Sequence, residues 1–211
     1  MAVDDSGLVV RGSSNDVSRT LPGVESRRMI VYCAAIMSST APLSSGSFPI
    51  PRTRLFGRET EREAARDVLL EDAAALLTLT GPGGVGKTRL ALAVAEKVER
   101  GFPDGAAFVQ LAAVCERDHV PGAIASVLGV RGHPERTTSQ SIASALRGRR
   151  FLLILDNMEH LAGEGIGTIV QELLDQCPQL TILVTSREPL RLTLEQRYVT
   201  QPLGSSAPGI H

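Results

Sequence analysis

The chain has 211 residues, of which 43% are apolar and 21% charged, so its composition suits one folded domain with a buried core. Its 22 basic and 23 acidic side chains give a formal net charge of −1, which leaves no basic excess for binding a phosphate backbone. Aromatic residues make up only 3%, which argues against a stacking platform for single-stranded nucleic acid. We therefore expect no direct nucleic acid binding by this chain.

The cysteines and the hydropathy indicate a cytoplasmic protein. Cys33, Cys115 and Cys177 are far apart and form no CxxC pair, so the sequence predicts neither a zinc site nor a disulfide framework. No apolar run approaches the roughly 18 residues that a membrane span needs. Residues 29–37 imitate the apolar core of a signal peptide, but they follow a polar segment, residues 1–28, that is longer than a usual charged n-region. We expect reduced thiols and no membrane association.

The two ends of the chain differ in composition from its middle. Residues 1–51 are rich in Ser, Gly and Pro without a sustained period, which predicts a flexible low-complexity segment, and either Met1 or Met37 is a candidate start. Residues 204–211 have the composition of a flexible tail. A domain is predicted between them, at residues 52–203.

Helices and strands alternate along the predicted domain. The apolar patterns predict helices over residues 58–70, 88–100, 120–128, 139–146 (with a serine cap) and 167–176, and strands over residues 75–80, 106–114, 151–156, 180–185 and within 196–203. Continuous apolar runs such as residues 151–155 are typical of strands covered on both faces. The alternation predicts an α/β fold: a mostly parallel sheet of about five strands with helices on both faces, as in the three-layer P-loop NTPase sandwich.

A glycine-rich turn lies between the first predicted strand and the second predicted helix. It fits the pattern G-x-x-x-x-G-K-[ST] in full, and its residues are Gly81, Pro82, Gly83, Gly84, Val85, Gly86, Lys87 and Thr88, with Arg89 following. The glycines let backbone N–H groups turn inward around an anion, and the helix start adds the positive end of its dipole. Lys87 is expected to reach the outer phosphates and Thr88 to offer its hydroxyl to Mg²⁺. This P-loop, Gly81–Thr88, predicts a bound nucleotide.

An acidic residue ends the third predicted strand. Asp156 follows the apolar run 151–155, where a carboxylate holding Mg²⁺ opposite Thr88 is expected, although it also suits a helix cap. The next residue, Asn157, cannot act as a general base. Glu159 either substitutes for one or is a solvated acid, and His160 is expected to be structural.

An arginine follows the fourth predicted strand. Arg187 comes directly after Thr185-Ser186, at the strand end that faces the ligand. It either neutralises a γ-phosphate or is a surface arginine; the spacing alone fits both.

These residues together resemble the NB-ARC/STAND signal-transduction ATPases, in particular the nucleotide-binding domain of bacterial LuxR- and SARP-type transcriptional regulators. The resemblance covers roughly residues 49–203. It is carried by five phrases: Leu55-Phe56-Gly57-Arg58-Glu59, the P-loop with the residues that follow it, residues 151–160 (FLLILDNMEH), residues 183–190 (LVTSREPL) and residues 197–203 (RYVTQPL), which are similar to the closing strand.

The resemblance implies roles for matching positions. Gly57 and Arg58 would line the base and sugar side of an adenine nucleotide, the P-loop would wrap its phosphates, Asp156 would hold Mg²⁺, and Arg187 would sense the phosphate. In such proteins the domain is a switch between ADP-bound and ATP-bound states with slow hydrolysis. That fits Asn157 beside the metal-binding Asp.

Three functions stay open at this stage. The first is a regulatory switch module that binds ATP or ADP with Mg²⁺ and hydrolyses weakly. The second is an active P-loop ATPase or kinase, with Lys87, Asp156, Glu159 and Arg187 as its catalytic residues. The third is a remnant that binds nothing, since the family's lid, winged-helix and effector domains do not follow before His211 and a truncated pocket would be open on one side. Protein partners and self-association stay open.

Overall fold

The computed structural model describes residues 55–71, 74–161 and 165–202. The predicted segment 1–51, the predicted tail 204–211 and the domain limits at 52 and 203 lie outside the described residues, and so does Cys33. Of the other two thiols, Cys177 is buried and Cys115 is exposed.

Five parallel strands form the sheet. They are β1 (Leu76–Thr80), β2 (Ala106–Gln110), β3 (Phe151–Asp156), β4 (Leu180–Ser186) and β5 (Glu195–Val199). Their order is β2-β3-β4-β1-β5, and every neighbouring pair is parallel. The central strands consist of apolar runs because both faces of the sheet are covered, as the sequence predicted.

Helices cover both faces of the sheet. They are α1 (Glu59–Leu70), α2 (Lys87–Val98), α3 (Val120–Leu128), α4 (Thr138–Leu146) and α5 (Ile166–Gln176). Side chains alternate between the faces along each strand, so Leu152 and Ile154 of β3 pack with α1 and α2, whereas Leu153 and Leu155 pack with α3, α4 and α5. The predicted three-layer α/β architecture is confirmed.

Two predicted details are wrong. β2 ends at Gln110, whereas a strand to residue 114 was expected, because the chain turns after Leu111, whose carbonyl accepts from the N–H of Val114. Helix α4 is capped by Thr137 and not by a serine. The Thr137 hydroxyl accepts from the Gln140 N–H at 3.2 Å, and the Gln140 side chain accepts from the Thr137 N–H at 3.0 Å.

The sheet order brings three polar strand ends together. The carboxyl ends of parallel strands share one edge, so the loop after β1, Asp156 at the end of β3 and Arg187 after β4 meet beside each other. This edge holds the candidate functional site. Across the described ranges, no helix combines the length and apolar character that a membrane crossing requires.

Candidate functional site

The P-loop follows β1 and leads directly into α2. Gly81, Gly84 and Gly86 have φ angles of 145°, 76° and 96°, a region that side chains disfavour. Gly81 also lacks room for a side chain, because a Cβ there would come within 2.4 Å of the Thr200 carbonyl oxygen. Helix α2 starts at Lys87 without a side-chain N-cap, so its first-turn N–H groups are available to an anion.

Lys87 lies inside the curve of the P-loop. Its side chain is buried, and its ammonium group donates to the carbonyl oxygens of Gly81 at 2.8 Å and Pro82 at 3.0 Å. Burial lowers the pKa of Lys87 below the ordinary value of 10.5; Glu159 and Asp156 oppose that shift, and Arg187 adds to it. The other lysine, Lys97, pairs with Glu63 on the outer side of α2.

A carboxylate that accepts from two hydroxyl groups joins β3 to α2 and β4. Asp156 is 2% exposed, and its Oδ1 accepts hydrogen bonds from Thr88 at 2.7 Å and Thr185 at 2.6 Å. The Thr185 hydroxyl in turn accepts from the Asn157 N–H at 2.9 Å. The sequence predicted that Thr185, in the polar pair at the end of β4, faces a γ-phosphate. Its hydrogen bond to Asp156 was not predicted.

A short turn after Asp156 carries the next charged groups. Asn157 has a positive φ of 66°, and residues 158–160 form a single 3₁₀ turn. Glu159 on this turn pairs with Arg187, with 3.3 Å between its Oε1 and the arginine Nε. The two line an open cleft of about 390 Å³ together with His160 and Glu188. His160 has a structural contact, 2.7 Å from its Nε2 to the Val114 carbonyl oxygen.

Arg58 connects three separate segments. It is 2% exposed, and its guanidinium donates to the carbonyl oxygens of Val85 at 2.8 Å and Gln201 at 2.9 Å and pairs with Glu61 at 2.9 Å. Its contacts are therefore with Val85 of the P-loop and with the chain after β5. Gly57, beside it, is exposed and has a φ of 71°.

The structure brings most predicted site residues to one place. Lys87, Thr88, Asp156, Glu159 and Arg187 share the edge of the sheet, while Arg89 lies exposed on the first turn of α2. No group of three or more His, Cys, Asp or Glu side chains with metal-ligand geometry occurs among residues 55–71, 74–161 and 165–202.

A comparison with known protein families identifies the family of this domain. The NB-ARC domain family matches residues 58–190, which covers more than half of the chain. The chain belongs to the NB-ARC family. The match includes Arg58, the P-loop, Asp156 and Arg187, so these residues of the candidate site lie within the NB-ARC domain.

Relatives of this NB-ARC domain include bacterial regulators. A Mycobacterium tuberculosis protein named as an HTH-type transcriptional regulator is 45% identical over 120 residues, which are 57% of this chain and 13% of that protein. The regulatory protein AfsR of Streptomyces coelicolor is 28% identical over 203 residues, 89% of this chain and 20% of that protein. The chain thus spans only a small part of the length of these relatives.

Solved structures share the fold. The STAND protein with a tetratricopeptide repeat sensor from Pyrococcus horikoshii has a TM-score of 0.50 at 19% identity, covering 75% of this chain and 24% of that chain. The ORC2 protein of Aeropyrum pernix, solved as ADPNP–ADP complexes, has a TM-score of 0.50 at 17% identity, covering 67% of this chain and 43% of that chain. At these identities the likeness concerns the fold alone.

Proposed function

We propose that this NB-ARC domain binds ATP or ADP with Mg²⁺ and serves as a nucleotide-dependent regulatory module that hydrolyses slowly. The observation that carries the proposal is the 2.7 Å hydrogen bond between the Thr88 hydroxyl and Asp156, which joins the P-loop to the acidic end of β3. These two oxygen-bearing groups come from helix α2 and strand β3 and meet where a phosphate-bound cation would lie.

The P-loop fits the phosphates of a nucleotide. Its positive-φ glycines and the uncapped start of α2 leave backbone N–H groups for phosphate oxygens, and Lys87 adds a positive charge. Mg²⁺ prefers a few protein oxygens with retained waters, which agrees with Thr88 and Asp156 as its only protein ligands in this proposal. The bound ion would neutralise phosphate charge.

The base and sugar are proposed to lie on the side of Gly57 and Arg58. Hydrogen bonds to the carbonyl oxygens of Val85 and Gln201 hold the Arg58 side chain. They therefore fix the segment before α1 against the P-loop. Arg89, exposed on the first turn of α2, is proposed to contribute charge near the phosphates. The adenine nucleotides ADPNP and ADP bound to the ORC2 protein of Aeropyrum pernix support an adenine nucleotide here.

Slow hydrolysis is proposed because no general base adjoins the metal-binding carboxylate. Asn157 follows Asp156 in a left-handed conformation, and its amide cannot accept a proton from water. Slow hydrolysis suits a regulatory module. Each bound nucleotide favours the conformation that it binds better, and slow hydrolysis lets that conformation persist. The relatives named as regulators support that role, and we place the module in the cytoplasm with protein partners or self-association as its outputs.

An active ATPase is the second candidate. Glu159 favours it, since this carboxylate is 15% exposed and its buried Oε2 has no hydrogen-bond partner within the described residues. Such an enzyme would use Glu159 as its base. It would turn over at roughly 1 to 1,000 per second, whereas the regulatory module is expected below that range.

The two lysines offer a matched test. Lys87→Ala is expected to weaken binding of a fluorescent ADP analogue by about ten- to a hundredfold, because it removes a charged donor from the loop. Lys97→Ala removes the same group from a surface ion pair and is expected to leave binding unchanged. Fluorescence titration and phosphate release measure the two quantities. Equal affinities in both variants, or no binding by the folded wild-type chain, would contradict the proposal.

A further inference from the structure

The glycine at position 83 is not explained by the P-loop backbone. Its φ is not among the positive values found at Gly81, Gly84 and Gly86, and the motif accepts any residue there. Space distinguishes it from its neighbours. A Cβ on Gly83 would lie 3.3 Å from Nη2 of Arg187, while a Cβ on Gly84 or Gly86 would meet nothing within 4 Å. Gly83 is thus the place where the Arg187 guanidinium lies against the loop.

The orientation of Arg187 follows from its pairing with Glu159. The carboxylate contacts Nε, at 3.3 Å, and so occupies the inner edge of the guanidinium. Of the guanidinium atoms, Nη2 comes nearest to the Gly83 position, at 3.3 Å against 3.8 Å for Nε. A guanidinium has five N–H donors, so a carboxylate on Nε engages only part of them, and Nη2 lies beside the P-loop at Gly83.

Glu159 is the better fixed member of the pair. Its side chain is 15% exposed, whereas that of Arg187 is 63% exposed. The turn that carries Glu159 is anchored on both sides, by the fully buried Met158 and by the contact between His160 and the Val114 carbonyl oxygen. An exposed arginine loses much rotamer freedom when it is ordered, and an ion pair with a better fixed partner offsets part of that cost.

We propose that Glu159 is a positioning residue that holds Arg187 across the mouth of the P-loop, where its outer N–H groups contact the terminal phosphate of a nucleoside triphosphate. A methyl group at Gly83 would move the guanidinium by a few tenths of an ångström. The inference rests on the proposed nucleotide binding and on the phosphate-sensing role that the family resemblance implies for Arg187. It adds how this arginine is held in place. Glu159 acts through Arg187 and needs no proton transfer.

The test compares affinities for a non-hydrolysable ATP analogue and for ADP, both with Mg²⁺, by displacement of the fluorescent ADP analogue from the full chain. Glu159→Ala is expected to lower the preference for the triphosphate by about five- to tenfold, because Arg187 loses the residue that holds it. Couplings between contacting residues are commonly of this size. Glu159→Gln keeps an oxygen that accepts from Nε, and its preference is expected to stay within about threefold of wild type. Glu172→Ala removes the same charge from the exposed side of α5 and is the control, expected to change nothing.

A double-mutant cycle separates positioning from an independent role. Adding Glu159→Ala to Arg187→Ala is expected to cause no further loss beyond about twofold, because the residue that Glu159 orients is already absent. Gly83→Ala, which crowds Nη2, is expected to lower the triphosphate preference as Glu159→Ala does. Gly122→Ala adds a methyl group in open space on α3 and serves as its control.

Three outcomes would overturn the inference. One is an unchanged triphosphate preference in Glu159→Ala, and another is an additive loss in the double variant. The third is a Glu159→Gln variant that loses hydrolysis while its preference stays intact, since that identifies a general base. A wild-type chain that binds ADP normally in these experiments keeps the proposed function standing, whereas one that binds neither nucleotide contradicts both proposals.

Discussion

The polar side chains of the site are paired with groups of the same site. The Lys87 ammonium is bonded to loop carbonyl oxygens, and the hydroxyls of Thr88 and Thr185 both donate to Asp156. A phosphate therefore exchanges existing hydrogen bonds for new ones, and the net gain from each is modest. The carbonyl groups are neutral and do not cancel the positive charge of Lys87. The attraction between this charge and a phosphate is therefore a gain that no existing interaction offsets.

This charge predicts how nucleotide affinity varies with pH. Burial lowers the pKa of Lys87 from 10.5, and a bound phosphate would raise it again, so binding takes up a proton wherever the free lysine is neutral. Affinity is expected to be greatest while free Lys87 is protonated and to fall as pH rises through its lowered pKa toward 10.5. ADP titrations at a series of alkaline pH values measure it.

Lys87→Ala serves as the reference for that pH series. It has no titrating group in the loop, so its weaker affinity is expected to be flat over the same range, while Lys97→Ala is expected to follow wild type. A wild-type affinity that does not change across this alkaline range would show that the ammonium charge of Lys87 takes no part in binding.

At the residue scale, the sequence predicted the site residues whose side-chain type and spacing are typical of a known chemistry. A motif with fixed spacing led to Lys87 and Thr88, and an acid after an apolar run led to Asp156. It did not predict the hydrogen bond between Thr185 and Asp156 or the contact of Arg187 at Gly83, because both depend on which strands are neighbours. β4 lies between β1 and β3, so Thr185 meets Asp156 and Arg187 meets the loop after β1.

At the scale of elements, hydrophobic period and length predicted every helix and strand among the described residues to within a few positions. The helices were recoverable because each has one apolar face, as with Leu90, Val94 and Val98 on α2, all fully buried. The ends were less certain because short local hydrogen bonds decide them. Thr137 and Ser139 are both cap-forming residues, and only the backbone geometry distinguishes them.

The cap of α4 gives a stability prediction. Thr137→Ala removes the hydroxyl that accepts from the Gln140 N–H and is expected to lower the free energy of unfolding by about 1 kcal/mol. Ser139→Ala, inside the first turn, leaves the cap intact and is expected to be neutral or slightly stabilising, since alanine has the higher helix propensity. Urea unfolding followed by circular dichroism compares the two variants. A larger loss in Ser139→Ala would mean that the cap is misassigned.

At the scale of the whole described domain, the site is where separate segments are tied together. Arg58 connects the start of α1 with the P-loop and with the chain after β5, and Asp156 connects β3 with α2 and β4. The buried apolar side chains form one cluster on each face of the sheet. The site lies at the edge where the carboxyl ends of the strands meet. A ligand that bridges the P-loop and Asp156 is therefore expected to stabilise the domain as a unit.

This expectation can be measured as a shift in Tm. A ligand that binds only the folded state at about 100 times its Kd contributes about 2.7 kcal/mol, a rise of roughly 5–11 °C for domains of this size. We expect ADP to raise Tm in the wild type and Mg²⁺ to add to that rise. Asp156→Asn keeps an oxygen near Thr88 and Thr185 but loses the charge, so ADP is expected to stabilise it without the added effect of Mg²⁺. Asp175→Asn, on the exposed side of α5, is the matched control and is expected to respond as the wild type does. An equal Mg²⁺ effect in both variants would mean that Asp156 organises the strands without holding a metal ion.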